Sequence, residues 1–159
     1  MAYIDSQLEF SDAQAVLATA ISTNVYDILT MRKGGSAAAG DISPNARLDL
    51  GNDDTAPWLI VTVNTAYVGG TSLTATLETA DDAALTTNAT VLASSGAVPL
   101  ANLTAGAQLL AIKLPSALYR RYIGLRYTIV GTMTAGVVDG YITLAPQQNR
   151  IYKSGFTVQ

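Results

Sequence analysis

The chain has 159 residues, suited to one domain, with 49% hydrophobic and 13% charged residues against a usual charged share of about 25%. Its formal net charge of −3 excludes a global attraction to nucleic acid. It has no cysteine and no histidine, which excludes disulfides, thiol chemistry, the common catalytic triads and His/Cys metal sites.

In chain order, the opening carries Asp5, Ser6, Gln7 and Glu9 where a signal peptide would be basic and then apolar, so a protein made and kept in a cytoplasm, or assembled there, is expected. No apolar run reaches the roughly 18–20 residues of a membrane span. Phe10–Ile21 reads two ways: Ser11 and Gln14 have the spacing of a helix capping box, yet the same residues suit an extended arm. Residues 23–29 alternate as a first strand. Residues 31–57 hold Gly34, Gly35, Gly40, Pro44, Gly51 and Pro57, the turn-former density of a long loop; such loops are functional or disordered, and a contact loop and simple disorder are both open here.

From Trp58 the β signal is strong. Leu59, Val61 and Val63 share one face of a strand. Gly69-Gly70 then makes a turn, and in residues 72–79 Leu73, Ala75 and Leu77 point inward while Thr74, Thr76 and Glu78 point outward. Two such strands about Gly-Gly are a hairpin signal. Asp81-Asp82 opens a connection to a short strand at 90–93. Residues 96–106, with Pro99, form a crossing loop. A strand follows at 108–114, then the longest at 121–132, with Ile123, Leu125, Tyr127 and Ile129 on one face. Gly131 and Gly136 flank a turn before the last strand, 137–144, closed by Pro146. The tail 147–159 has no clean period. About seven or eight strands with minor helix give an all-β fold, an antiparallel two-sheet sandwich of jelly-roll or other Greek-key type.

Little in this order suggests bond-making chemistry. The acid pairs Asp53-Asp54 and Asp81-Asp82 place neighbouring carboxylates on opposite faces of an extended chain, so neither is an acid/base dyad. Asp49, Asn52, Asp53 and Asp54 have calcium-like spacing but lack the glycine and distal glutamate of an EF-hand loop, and read as turn residues. Arg120 and Arg121, beside Tyr119, Tyr122 and Arg126, mix bases and aromatics as nucleic-acid platforms do; the negative net charge and strand alternation favour salt bridges or subunit contacts. Residues 1–100 carry 11 acids and 3 bases, and residues 101–159 carry 1 acid and 6 bases. That split marks either two charged faces or halves that interleave. With 19 Thr and 25 Ala, the surface is finished by small uncharged groups, as suits a protein lying against other protein; a neutral soluble β domain has the same composition.

Several segments, in this order, resemble the capsid cement (decoration) proteins of short-tailed and related bacteriophages. They are YIDSQLEFSDAQA at 3–15, STNV at 22–25, LETADDA at 77–83, GAVPL at 96–100, Leu114-Pro115, RYIGLRY at 121–127 and TAG at 134–136. The resemblance covers residues 3–145 and departs in the 31–57 loop and after Pro146. It implies a single jelly-roll domain: an N-terminal arm over 1–22, a sandwich over 23–146 and a C-terminal tail over 147–159. It implies a non-enzymatic virion protein without cofactor or metal, made in the bacterial host cytoplasm and seated on the outer capsid surface. The implied partners are the major capsid protein of an HK97-like shell and further copies of itself, as dimer or trimer, without nucleic acid or membrane.

Candidate capsid or oligomer contacts are Phe10, Asp12, Arg32, Lys33, Arg120, Arg121, Arg150, Tyr152 and Phe156. Two other readings differ in what they need. A carbohydrate-binding sandwich needs an exposed aromatic platform, for which Trp58 is the one tryptophan. A hydrolase needs carboxylates that act together. The tail is testable directly: deleting residues 147–159 is expected to leave the unfolding transition of the body intact and to weaken assembly, and collapse of the fold would refute its role as a contact.

Overall fold

The computed structural model describes residues 6–28 and 56–144. A short 3-10 turn, Ser6–Leu8, leads into β1 (Glu9–Ala15), β2 (Ala20–Ile21) and β3 (Tyr26–Asp27). Beyond the 29–55 segment come β4 (Trp58–Gly69), β5 (Ser72–Ala80), β6 (Thr90–Ser94) and β7 (Val98–Pro99). A second 3-10 turn, Leu100–Asn102, precedes β8 (Gln108–Lys113), β9 (Tyr122–Val130) and β10 (Met133–Thr143). They form two sheets, β1-β10-β4-β8 and β2-β9-β5-β6, with β3 also on β9 and β7 also on β5; every pairing is antiparallel. With β2 and β3 counted as one interrupted strand and β7 as a flank of β5, the orders become 1-8-3-6 and 2-7-4-5. That is the jelly-roll order, two Greek keys folded face to face.

Alternation explains which residues enter the core. Leu59, Val61 and Val63 of β4 meet Leu73, Ala75 and Leu77 of β5, and Leu125 and Tyr127 of β9, all buried between the sheets. Four expectations change. Residues 9–15 form a paired strand, so Ser11 and Gln14 make no helix cap: the Ser11 hydroxyl donates to Gln14 Oε1 at 2.7 Å within an edge strand. The N-terminal stretch is correspondingly part of both sheets, through β1 and β2, rather than a separate arm. Of the expected strand 23–29, Tyr26–Asp27 are the residues that pair among those described, 23–28. Glu78 faces neither solvent nor emptiness: β5 lies inside its sheet, and Glu78 is buried against Arg126.

The Gly69-Gly70 turn is not a hairpin. β4 pairs with β10 and β8, whereas β5 pairs with β9, β6 and β7, so the turn carries the chain from one sheet to the other. The β9–β10 connection at Gly131 makes the same crossing beside it. A hairpin and a sheet-crossing corner present the same signal locally; only the partners of each strand separate them. The two corners pack on each other: a Cβ at Gly131 would lie 2.9 Å from Gly70 Cα and 3.1 Å from Thr71 N, and Gly131 has φ +89°. β10 consequently starts at Met133 and spans 11 residues, and β4 spans 12, so both exceed the 9 of β9, expected to be the longest.

These corners generate a paired prediction. Gly96 also has a positive φ, +68°, but nothing lies within 4 Å of its would-be Cβ. Gly96→Ala therefore carries backbone strain alone, about 1–2 kcal/mol. Gly131→Ala adds a clash against backbone that cannot swing away, and a loss of about 3 kcal/mol or more is expected. Urea midpoints of the two variants compare them directly; equal shifts would contradict the packed-corner account.

Candidate interaction surface

The charges of the body largely answer one another. Arg120 meets Asp81 at 2.9 Å, Arg121 meets Asp27 at 2.8 Å, and Arg126 meets Glu78 at 2.9 Å. Each pair joins an acid of the first hundred residues to a base of the last sixty, because β9 lies beside β3 and β5. Among the described residues the two halves therefore interleave at these three pairs. Arg126 also donates to the Leu85 carbonyl at 2.6 Å, tying the 81–89 loop to the sheet. In that loop Asp82 accepts from the Thr87 and Thr86 backbone N–H groups and the Thr86 hydroxyl, which hold its carboxyl down to about 2. Asp81 is likewise lowered, first by Asn88 and then by Arg120.

The expected contact residues scatter. Phe10 is 0% exposed, inside the core and edge-to-face with Tyr26 at 4.7 Å; a residue enclosed between the sheets offers no surface, and this corrects its assignment as a contact. Asp12 is exposed at a bulge in β1, where the Ala13 N–H donates to Asp139 at 2.7 Å. Arg120 and Arg121 are exposed but held by their aspartates, and Arg121 also lies over the Tyr122 ring at 5.0 Å. They sit at the sandwich end where residues 81–89 and 114–121 meet. Arg32, Lys33, Arg150, Tyr152 and Phe156 lie outside the described residues, as do the acids of 49–54 and the loop and tail that hold them.

The two ends of the sandwich differ in kind. At one end are Glu9, Asp27, Asp81, Asp82, Lys113, Arg120 and Arg121. A wholly apolar hollow of about 180 Å³, bounded by Leu8, Phe10, Ile28, Leu114, Ile123 and Ile142, opens beside them. At the other end four connections come together: residues 16–19, 68–72, 95–107 and 130–136. None contains an acid or a base. Hydrogen bonds knit them into one surface. The Thr71 N–H donates to the Val130 carbonyl, Leu100 N–H to Thr71, Val16 N–H to Gly136, and Ile129 N–H to the Thr19 hydroxyl. Val68 lies opposite Ala135. Three large aliphatic side chains stand out from this end: Leu17 at 46% exposure, Val68 at 56% and Val130 at 53%. Sequence reasoning missed this surface, because its four pieces are far apart in the chain and each reads alone as an ordinary loop. The signal that could have found it was a missing one: acids and bases avoid all four turns.

Among the described residues no group of three or more His, Cys, Asp or Glu could hold a metal ion, and no helix is long and apolar enough to cross a membrane. Trp58 is half-buried in an inner strand, paired with Lys113 and Thr143. Among the described residues, fold and surface together define a jelly-roll sandwich with a charged end and a charge-free end. The chain belongs to the Bbp16 family, whose model matches residues 10–142. Among curated proteins none matches it.

Two buried tyrosines yield a pH prediction. Tyr127 shares a hydrogen bond with Ser11 at 2.9 Å, whereas the buried Tyr67 hydroxyl has no hydrogen-bond partner among the described residues. Burial pushes Tyr67 up from 10.0 to about 12, and raises Tyr127 also. The unfolded chain thus loses these protons first. Stability is complete below pH 10, falls as pH rises through about 12, and the Tyr67 share then levels off. Tyr67→Phe is expected to keep or raise stability at neutral pH and to flatten the alkaline loss. Tyr127→Phe is expected to cost about 1 kcal/mol at neutral pH. Thermal unfolding from neutral to strongly alkaline pH checks both, and a Tyr67→Phe variant with an unchanged alkaline slope would contradict them.

Proposed function

We propose that this chain is a structural protein of a bacteriophage virion, a capsid cement or decoration protein that binds the outer shell and bridges neighbouring major capsid proteins of HK97-like type. The observation that carries the reading is the charge-free loop end on a rigid jelly-roll body. Surfaces that are cheap to dehydrate and fixed in shape suit lasting contact with another protein. The ion pairs Arg120–Asp81, Arg121–Asp27 and Arg126–Glu78 support the same reading, since they occupy the three arginines of the described residues, which would otherwise attract nucleic acid. The family's name, of a form given to phage products, agrees with it, as does the resemblance to cement proteins along residues 3–145.

The mechanism is linkage. A shell filled with packaged DNA is under outward pressure, and a protein that binds across two shell subunits favours their joined state by its own binding free energy. Many copies on a symmetric lattice turn a modest contact into a large collective one. Neither step needs a cofactor or a reacting side chain. Self-association as dimer or trimer would let one copy reach two shell subunits at once.

The test uses virion shells stripped of the protein. Re-added protein is expected to sediment with them in hundreds of copies and to raise the temperature at which they rupture by several degrees. Shells that neither bind it nor gain heat resistance would sink the reading.

A further inference from the structure

We infer that the charge-free loop end is the face that seats on the shell, and that its partner is an uncharged, apolar surface of the shell protein. The inference rests on the cement reading and assigns the contact within it. The described residues carry seven acids (Glu9, Asp12, Asp27, Glu78, Asp81, Asp82 and Asp139) and four bases (Lys113, Arg120, Arg121 and Arg126). None falls in residues 16–19, 68–72, 95–107 or 130–136. The charges nearest in strand register, Asp12, Arg126 and Asp139, stand three or four strand residues back, roughly 10–13 Å. That exceeds a Debye length of about 8 Å at physiological ionic strength.

A partner docking here therefore meets almost no field from the described residues, and strips water from none of their ions. Recognition is left to shape, to uncharged hydrogen-bonding side chains such as Thr71, Asn102 and Thr132, and to apolar burial by Leu17, Val68 and Val130. A charged partner, whether nucleic acid or an acidic or basic protein face, would lose its hydration against this surface and gain no counter-charge. The surface is also preorganised. The connections at 69–71 and 131–132 are tight and glycine-packed, and those at 16–19 and 95–107 are hydrogen-bonded to neighbouring strands and turns. Little ordering entropy is then lost on contact, and valine has few rotamers to lose.

The experiment pairs two substitutions on this end, Val68→Lys and Val130→Lys, with a control, Val91→Lys. Val91 is 55% exposed on β6, away from these loops. All three side chains already face water, so unfolding midpoints close to wild type are expected. Each protein is sedimented with stripped shells at low and at high salt, and wild type alone is checked for self-association. Hydrogen exchange of the shell-bound wild type gives a footprint independent of any variant.

Expected are a loss of shell affinity on the order of tenfold or more for Val68→Lys and for Val130→Lys, wild-type affinity for Val91→Lys, and wild-type binding that persists at high salt. The footprint should cover residues 16–19, 68–71 and 130–135. Wild type that binds while both valine variants bind equally well overturns this inference and leaves the cement reading standing, as does binding abolished by salt or a footprint on the 81–89 and 114–121 end. If the variants instead convert a wild-type oligomer to monomer, this end faces a second copy and the inference is wrong. Wild type that binds no shell removes the cement reading and the inference together.

Discussion

The fold turns on how closely its two sheets approach at the centre. Tyr127, on the middle of β9, reaches across the core to Ser11 on β1, and both residues are 0% exposed. The approach is possible because β10 carries Gly140 at that level: a Cβ there would lie 2.7 Å from Leu125 Cδ1 and 3.0 Å from the Tyr127 hydroxyl. A missing side chain on one sheet thus receives two large ones from the other. The bond also satisfies a buried polar group that would otherwise cost about 1–3 kcal/mol. With the sheets held at that spacing, the connections between them are forced into tight corners, and their positions at the two ends follow.

Those ends then inherit opposite characters. The ion pairs Arg120–Asp81 and Arg121–Asp27 gather at one end, and both are exposed enough that each contributes little to stability on its own. Arg126–Glu78 is deeper, with Glu78 nearly enclosed and Leu85 capping the guanidinium. Its value is greater as an organiser than as a source of net energy, since burying two ions costs nearly what their attraction returns. The opposite end has no such groups to organise. Its described surface is made of backbone corners and of aliphatic, threonine and asparagine side chains, held by the crossing of β4 to β5 beside that of β9 to β10.

A molecule built this way is suited to the cement role proposed for it. A rigid body with paired charges resists deformation and nonspecific attraction. An uncharged end permits close contact without the selectivity or the salt sensitivity of an electrostatic one. For a protein proposed to spend its life on a pressurised shell, those properties matter more than tight binding by any single copy, because repetition on the lattice supplies the rest.

The sequence by itself determined the strand content, the absence of His and Cys chemistry and most of the core. The two-residue period of Leu59, Val61, Val63, Leu73, Ala75 and Leu77 can be satisfied only by a buried sheet face, whatever the strands' neighbours. It also held the salt-bridging role of Arg120 and Arg121 among its alternatives. Tertiary structure decided what depends on partners distant in the chain. Gly69-Gly70 became a corner instead of a hairpin because β10 and β9, not each other, flank β4 and β5. Ser11 became a core hydrogen bond to Tyr127, and Phe10 a core residue, because β1 joins an edge of the four-stranded sheet. Four uncharged turns became one surface because the jelly-roll path returns to the same end of the molecule on alternate crossings. Local pattern records how a residue prefers to sit; only the closed topology says what it sits against.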